Sequence, residues 1–376
     1  VNGQEKLSQE EIYVVQGLIQ ALLGRQAVEN LNLVTRSSVD EIKENPAREI
    51  QAKYPKLFSG LGKLQSNYTI QMKENATPFS LTTPRRVPLP LLPKVRDELR
   101  RMESLGVIKP INEPTEWCSG IVVVPKPNGR VRICVDLTKL NESVKREKHI
   151  LPSTDRTLAQ LAGAKVHSKL DTNSGFWQVE LSEESSRLTT FITPFGRYYF
   201  KRLPFGISSA PEHFQKRMSE ILEGLEGVVC QMDDILVYGS DQTEHDRRLH
   251  AVLVKLQDSG ITLNEEKCEF SKSEIKFIGH ILNRDGIRPD PEKVSVIKNM
   301  ERPSDVSGVR RLLGMTNQMG KFTPNLAEKT KAIRDLLNRG SHWCWGAAQE
   351  QAFQEIKLLL SSSPTLAHYD PNKDTV

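Results

Sequence analysis

The sequence has few of the features that would place it outside the cell or in a membrane. Its five cysteines are scattered, odd in number and never spaced as a Cys-x-x-Cys pair, which argues against a disulfide framework or a cysteine-rich zinc site. Apolar runs such as residues 121–124 are far too short to span a bilayer, and no signal-peptide pattern opens the chain. We therefore expect an intracellular protein with free thiols.

Strong charge bias and low-complexity tracts are also absent. The formal net charge is only +5 over 376 residues, so a polyanionic partner is permitted but not required. Charged residues make up 26% of the chain, near the globular average, and no internal repeat interrupts it. The composition predicts an ordinary folded protein that is long enough for two or three domains.

Short β-prone and amphipathic helical segments alternate through the middle of the chain. Residues 95–105 place apolar side chains at helical spacing, and two β-prone runs flank the Pro-Asn-Gly sequence at 127–129, which predicts a hairpin. Ser209 and Glu212 fit a capping box at the start of another helix, and Ser304 is a candidate N-cap further on. These patterns predict an α+β core followed by a mostly helical region.

Two adjacent aspartates interrupt the apolar segment CQMDDILVYG at residues 230–239. Burying two like charges is costly, so β-prone flanks on both sides favour the tip of a tight hairpin for Asp233 and Asp234. A solvated turn is the common explanation for such a pair. Upstream, Asp171 ends another β-prone segment just before a turn-forming Asn-Ser-Gly. Three carboxylates at strand ends could therefore converge.

Converging carboxylates would suit two Mg²⁺ ions, or Mn²⁺, because these metals prefer hard oxygen ligands and open water positions. Two such ions about 3.5 to 4 Å apart can activate a 3′-hydroxyl and stabilise a leaving pyrophosphate. Lys126 and Arg132 flank the Pro-Asn-Gly turn, and their two positive charges could bind a triphosphate. Exposure of the hairpin tip to solvent would also explain two basic residues there. The LPFGISSAP segment suits close approach of backbone to a nucleotide, or simply caps a helix.

Five segments, in a fixed order, carry a family resemblance. They are VVVPKPNGRVRICVDLTKLN, SKLDTNSGFWQVEL, TTFITPFGRYYFKRLPFGISSAPEHFQ, CQMDDILVYG and KCEFSKSEIKFIGHILNRDGI. With their flanks they cover residues 50–376, and the chain resembles the reverse transcriptase segment of a gypsy-type LTR retrotransposon Pol polyprotein. The resemblance implies an α+β right-hand polymerase fold of fingers, palm and thumb, with an antiparallel palm sheet and a helical thumb and connection.

The same resemblance implies an activity and its partners. The activity is RNA-directed, and DNA-directed, DNA synthesis with two Mg²⁺ ions, for which Mn²⁺ could substitute. The partners are dNTPs and an RNA or DNA template with an annealed primer, and no membrane. The expected location is the cytoplasm, a virus-like particle or the nucleus.

The resemblance also implies roles for single residues. Asp171, Asp233 and Asp234 match the catalytic carboxylates, of which the first two are expected to bind the metal ions most directly and the third to support them. The residues that match the nucleotide-binding positions are Lys126, Arg132, Phe176, Phe205 and Gly206, with Phe176 as the aromatic gate under the sugar. The residues that match the primer grip are Phe277, Ile278, Gly279 and His280.

The resemblance further divides the chain into five parts. They are residues 1–35, the tail of a retropepsin-like protease domain without a catalytic aspartate; 36–77, a linker and N-terminal extension; 78–288, fingers and palm; 289–340, thumb; and 341–376, a tether and truncated start of an RNase H domain. Protease and ribonuclease H activities are therefore expected only in a longer parent polyprotein.

One position departs from the family pattern. An aromatic residue usually stands two positions before the aspartates, and Gln231 stands there in this chain. Stacking on the primer-end nucleotide is therefore expected to give way to hydrogen bonding. An alternative from a different class stays open: a transposon-derived remnant, impaired in catalysis, that binds nucleic acid or a protein partner.

Overall fold

The computed structural model describes residues 46–65, 67–147, 149–323, 325–338, 343–361 and 366. The chain divides into two compact units, Val1–Glu49 and Ile50–Val376. Only residues 46–49 of the first unit are described, so the predicted protease tail at residues 1–35 lies outside the described residues.

The described elements are short and alternate between helix and strand. The helices are α1 (Pro46–Lys53), α2 (Leu92–Ser104), α3 (Thr138–Ser143), α4 (Thr154–Ala159), α5 (Glu183–Leu188), α6 (Ala210–Ile221), α7 (Gln242–Asp258), α8 (Pro291–Lys298), α9 (Val306–Asn317), α10 (Leu326–Lys329), α11 (Lys331–Arg334) and α12 (Ala347–Ser361). The strands are β1 (Asn67–Tyr68), β2 (Ile108–Pro110), β3 (Ile121–Pro125), β4 (Val131–Val135), β5 (Val166–Asp171), β6 (Glu180–Leu181), β7 (Phe191–Thr193), β8 (Gly196–Phe200), β9 (Val228–Gln231), β10 (Asp234–Gly239), β11 (Glu269–Lys272), β12 (Glu274–Phe277), β13 (His280–Asn283) and β14 (Gly286–Pro289).

A four-stranded sheet, in the order β11-β5-β10-β9, forms the centre of the second unit. All of its pairings are antiparallel, which confirms the predicted antiparallel sheet. Helix α7 packs against β10, and Leu236 of that strand joins a buried cluster with Leu158 and Phe277. A strand covered in this way is apolar along its length, which explains the continuous apolar run after the two aspartates.

Smaller sheets surround the central one. Strands β3 and β4 form an antiparallel pair around the Pro-Asn-Gly sequence, which confirms the predicted hairpin. Strands β12, β13 and β14 form an antiparallel meander, β8 lies between β2 and β7, and β1 pairs with β6 in parallel.

The C-terminal region has a hydrophobic core of its own. Ile297 of α8, Val309 and Leu312 of α9, and Phe353 and Ile356 of α12 form one buried cluster. Each of these helices presents one apolar face to the cluster, and the region is mostly helical, as the sequence predicted.

Two predicted capping interactions are wrong. Ser209 precedes α6, but its hydroxyl bonds the Tyr68 hydroxyl at 2.6 Å instead of an N-terminal amide. The Glu212 carboxylate accepts a hydrogen bond from Arg146 Nε at 2.8 Å, so the capping box is not formed. Tertiary partners therefore take both side chains away from the helix end.

Two further boundary predictions are shifted by a residue. Helix α2 buries Val95, Leu99 and Met102, but Leu105 lies beyond its last turn and is exposed. Helix α9 is capped by Asp305 in place of the predicted Ser304, because the Asp305 carboxylate accepts the Gly308 N–H at 2.6 Å.

The described residues agree with the composition-based expectations. All five cysteines have free thiols, as predicted. No helix in the described ranges is both long enough and apolar enough to cross a membrane.

The cap of α9 leads to a stability prediction. Replacing Asp305 by Ala removes the side-chain acceptor of an N-terminal amide, and we expect the free energy of unfolding to fall by about 1 kcal/mol. Ser304→Ala is the matched control and should change it by less than about 0.5 kcal/mol. Thermal or urea unfolding of both variants measures the difference, and equal losses in the two would contradict the observed cap.

Candidate active site

The three predicted carboxylates meet at one end of the central sheet. Asp171 ends β5, and Asp234 begins β10 directly opposite it in the antiparallel ladder. Met232 and Asp233 form the two-residue turn between β9 and β10, with Met232 in the left-handed region at φ 58°. The Thr172 N–H donates to the Asp233 carbonyl at 3.1 Å, which holds the turn against the end of β5.

Lysine side chains compensate two of the three negative charges. Lys267 Nζ lies 3.1 and 3.2 Å from the two carboxylate oxygens of Asp171. Lys169 Nζ lies 3.4 Å from Asp234 Oδ1. The segment that carries Lys267 is itself tied to β5, because the Asn264 N–H donates to the Asp171 carbonyl at 2.8 Å.

Sequence reasoning missed both lysines. Lys169 carried a usable signal, because it stands two residues before Asp171 on a strand and alternate residues of a strand share a face. Lys267 begins one of the five family segments, but nothing in that segment indicates Asp171 as its partner, since the two residues are 96 positions apart and meet only through the fold.

Asp233 is the carboxylate without a cation at hydrogen-bonding distance in the described part of the chain. Its Oδ1 has the Thr172 hydroxyl at 3.4 Å. Burial, together with the negative charge of Asp171, raises the pKa of Asp233 to about 6. Gly175 provides the space for this carboxylate, because a Cβ at that position would lie 2.3 Å from Asp233 Oδ1. The site therefore holds one buried negative charge that the protein leaves poorly compensated.

The donor set has the chemistry of a site for a hard divalent cation. It consists of carboxylate oxygens, which Mg²⁺ and Mn²⁺ prefer, and the raised pKa of Asp233 reports a charge that a cation would stabilise. Within the described ranges, however, no three His, Cys, Asp or Glu side chains are grouped closely enough to hold an ion. In this arrangement Lys267 pairs with Asp171, and Lys169 pairs with Asp234.

Two of the predicted nucleotide-binding aromatics lie together beside the carboxylates. Phe176 is 8% exposed and packs edge-on against Phe205, which is 51% exposed, with ring centroids 5.0 Å apart. Phe214 of α6 contacts the other side of Phe176, at 5.3 Å between centroids. Because Gly175 adjoins both Phe176 and the Asp233 carboxylate, the aromatic pair and the aspartate turn border one surface.

The loop at Gly206 is held by a side chain that the sequence reasoning did not assign to the site. Gly206 is in the left-handed region at φ 99°. Asn141 donates from Nδ2 to the Gly206 carbonyl at 2.7 Å and accepts the Ser208 N–H at 2.8 Å. Asn141 belongs to α3, which follows β4 closely, so this amide connects the loop to the β3–β4 hairpin.

Lys126 and Arg132 lie at the end of that hairpin. Arg132 is exposed and pairs with Val124 across the ladder, while Lys126 is partly exposed. Within the part of the chain that the structure describes, neither side chain forms an ion pair with the aspartates. The structure therefore does not bring them into contact with the trio, and their role stays a prediction.

The four predicted primer-grip residues form a second hairpin. Phe277 and His280 close the ladder between β12 and β13, and the turn residues Ile278 and Gly279 are left-handed at φ 47° and 72°. His280 donates from Nδ1 to the Ile278 carbonyl at 2.9 Å. Burial and the nearby positive charge of Lys321 lower the pKa of His280 to about 4. The ring is thus neutral near physiological pH.

An open cleft of about 490 Å³ borders this hairpin. Its lining includes Gly279 and His280 from the turn and Lys293 and Lys321 from the helical region. Lys321 Nζ also lies 3.5 Å from Asp155 Oδ1 at the start of α4. The cleft is adjacent to the predicted primer grip. Asp171, Asp233 and Asp234 are not among the residues that line it.

Sequence comparison places these features in a family. Residues 124–282 match the family model described as "Reverse transcriptase (RNA-dependent DNA polymerase)". The Transposon Tf2-3 and Tf2-7 polyproteins of Schizosaccharomyces pombe are 32% and 31% identical to the chain over 337 residues. Each match covers 89% of this chain and 24% of the polyprotein, so the chain spans only a minor part of the length of these relatives.

Structural comparison shows the fold. A foamy viral protease–reverse transcriptase in complex with double-stranded DNA matches with a TM-score of 0.82 and 21% identity, over 96% of this chain and 64% of that chain. The corresponding protein in complex with an RNA/DNA hybrid matches with a TM-score of 0.79 and 21% identity, over 96% of this chain and 49% of that chain.

These findings confirm the predicted α+β right-hand polymerase fold, and residues 124–282 belong to the reverse transcriptase family. More particularly, most of the chain is similar to Tf2 transposon polyproteins, in agreement with the retrotransposon resemblance that its motifs indicated.

The raised pKa of Asp233 predicts how stability depends on pH. Between its ordinary pKa of 3.8 and about 6, the folded state binds more protons at this carboxyl than the unfolded chain does, so stability falls as pH rises through that window. We expect metal-free Asp233→Asn to melt at a higher temperature than the wild type well above pH 6, and to lose this advantage near about pH 4.

Asp234→Asn is the matched control, because it removes a carboxylate that already has the Lys169 partner. It should give no gain in melting temperature. Calorimetry in the presence of a chelator measures the melting temperatures of both variants. If Asp233→Asn raised the melting temperature equally near about pH 4 and well above pH 6, the raised pKa of Asp233 would be contradicted.

Proposed function

We propose that the chain catalyses RNA- and DNA-directed DNA synthesis, in which a nucleotide is transferred from a dNTP to the 3′-hydroxyl of an annealed primer during retrotransposon replication. The observation that carries this proposal is the convergence of Asp171, Asp233 and Asp234 at one sheet end. The DNA and RNA/DNA hybrid bound by the structural neighbours support a primed duplex as the partner.

The carboxylates would hold two Mg²⁺ ions, or Mn²⁺, with Asp171 and Asp233 as the more direct ligands. Such ions supply Lewis-acid activation of the attacking hydroxyl and stabilise the leaving pyrophosphate. Asp234 keeps its contact with Lys169 and supports the pair from the neighbouring strand. Lys267 compensates Asp171 in the ion-free arrangement and would be released from it when a cation binds.

Other residues of the chain would bind and orient the substrates. Phe176 would lie under the sugar of the incoming nucleotide as the aromatic gate, and Phe205, which packs against it, would border the nucleotide. Gly206 leaves room for close approach of the nucleotide to the backbone. Lys126 and Arg132, which form no ion pair with the three aspartates in the described part of the chain, carry positive charge that suits a triphosphate.

The primer end would be positioned by the β12–β13 turn. Its residues Phe277, Ile278, Gly279 and His280 present two left-handed backbone positions beside a cleft that contains lysines. With this turn we propose residues 78–288 as fingers and palm, 289–340 as thumb and 341–376 as a tether followed by the start of an RNase H domain. We also propose an intracellular site of action, which the free thiols support.

A second candidate is a catalytically impaired remnant that binds nucleic acid or a protein without synthesis. One observation favours it: two of the three carboxylates are paired with lysines, and no metal-binding group of three is assembled within the described ranges. The two candidates differ in whether a cation displaces Lys267 from Asp171 and DNA synthesis follows, and primer extension tests for that synthesis.

Primer extension tests the proposed activity. We expect the wild type to extend a primer on RNA and DNA templates with Mg²⁺ and dNTPs, and Asp233→Asn to lose about 10³-fold in rate, because a metal ligand acting in the transition state contributes several kcal/mol. Asp258→Asn, at an exposed position of α7, is the control and should match the wild type.

Two results would overturn the proposal. Equal rates for the wild type and Asp233→Asn would remove the carboxylate from catalysis. Absence of extension in the wild type, together with retained duplex binding that Mg²⁺ and the next dNTP do not strengthen, would establish the second candidate.

Gln231 provides a further test of the primer-end environment. Its side-chain Oε1 is buried and has no hydrogen-bond partner among the described residues. Gln231→Tyr removes this unsatisfied oxygen and adds a ring that can stack on a base, so we expect extension equal to or faster than that of the wild type. Gln231→Leu is the control, since it removes the oxygen without adding the ring. A loss of activity in the tyrosine variant would show that the surrounding sheet has adapted to glutamine.

A further inference from the structure

One buried side chain of α6 bonds the strand that leads into the aspartate turn. Gln215 is 2% exposed, and its carboxamide makes two hydrogen bonds to backbone groups of β9 and the turn. Its Nε2 donates to the Cys230 carbonyl at 3.1 Å, and its Oε1 accepts the Met232 N–H at 2.8 Å. The two bonded residues flank Gln231, and Met232 immediately precedes Asp233.

The geometry of the sheet explains why these two backbone groups are available. β9 is an edge strand, because the sheet order is β11-β5-β10-β9. Gln231 pairs with Asp234 across the ladder at the turn, so the polar backbone groups of Cys230 and Met232 face away from β10. An edge strand presents such unpaired groups in a row.

A carboxamide is the side chain that can pair with this edge. It has one N–H donor and one C=O acceptor side by side, as a peptide group has. Gln215 therefore acts on β9 as a neighbouring strand would, but at one point only. Glutamate at this position would lose the donor, and methionine, which has a similar shape, would lose both bonds.

The turn needs support of this kind. Met232 is a non-glycine residue in the left-handed region, a conformation that persists where surrounding contacts enforce it. Its N–H bond to Gln215 is one such contact. Phe214, the residue before Gln215 on α6, packs against Phe176, and its ring lies 2.8 Å from where a Gly175 Cβ would be. One helix thus contacts both the aromatic pair and the aspartate turn.

We propose that Gln215 is a positioning residue for DNA synthesis: by bonding Cys230 and Met232 it holds the β9–β10 turn so that Asp233 and Asp234 face Asp171. This inference rests on the proposed polymerase function. Gln215 touches no reacting atom and acts through the backbone of the turn.

Two variants separate the two hydrogen bonds. Gln215→Met removes both, whereas Gln215→Glu keeps an acceptor for the Met232 N–H and loses the donor to Cys230. Gln351→Met is the control, because it makes the same substitution at an exposed position of α12. For each protein we would measure hydrogen exchange of residues 228–239, affinity for a primed duplex, and the kcat of primer extension at varied Mg²⁺ concentration.

The expected pattern distinguishes positioning from a general loss of structure. In Gln215→Met we expect faster exchange at the Met232 amide, unchanged duplex affinity and a kcat lower by about 10- to 100-fold, as for a small displacement of reacting groups. The Mg²⁺ concentration for half-maximal rate should rise. In Gln215→Glu the Met232 amide should stay protected, while the kcat still falls. Gln351→Met should match the wild type throughout.

A kcat for Gln215→Met equal to that of the wild type would overturn the inference. Unchanged hydrogen exchange at the Met232 amide of that variant would do the same. A fall in duplex affinity that accounts for the whole loss of rate would also overturn it. If the wild type itself extends no primer, the proposed function fails instead, and the exchange measurements, which need no activity, still decide whether Gln215 holds the turn.

Discussion

The mutual repulsion of three carboxylates at one end of the central sheet is the constraint on which the rest of the structure depends. Asp171 and Asp234 face each other across a ladder, and Asp233 lies in the adjoining turn. Such an arrangement is costly without compensating charge. The protein supplies Lys169 from the same strand as Asp171 and Lys267 from a separate segment, and leaves Asp233 with a raised pKa. The site is therefore assembled with its charge only partly balanced.

Carboxamide side chains hold the loops that surround this charge. Asn141 bonds the Gly206 carbonyl and the Ser208 N–H, and Gln215 bonds the Cys230 carbonyl and the Met232 N–H. Gln178 has the same function elsewhere: it is fully buried, and it donates to the carbonyls of residues 173 and 262 and accepts the N–H of residue 262. Each amide provides a neutral donor and acceptor, so it satisfies irregular backbone without adding charge near the aspartates.

The sequence predicted the parts of this arrangement that depend on local pattern. The two aspartates between apolar flanks indicated a hairpin tip, and the Pro-Asn-Gly sequence indicated another hairpin; both are present. The partners of the aspartates could not be predicted in the same way. Lys267 reaches Asp171 only because the segment at Asn264 bonds the end of β5. The capping box at Ser209 failed for a related reason, since Tyr68, far away in sequence, takes the hydroxyl.

The three aspartates have different surroundings, and these differences support the different metal-binding roles proposed for them. Lys169 approaches Asp234 from within the sheet, is itself largely buried, and has little freedom to leave. Lys267 is mostly exposed, so its ammonium can return to water when a cation competes for Asp171. Asp233 has no lysine within hydrogen-bonding distance among the described residues, and it gains most from a cation because burial and repulsion destabilise its carboxylate. A divalent ion would thus be drawn first to Asp233 and Asp171, while Asp234 stays with its lysine. The proposed division into two direct ligands and one supporting carboxylate, which the family resemblance implied, agrees with the positions of Lys169 and Lys267.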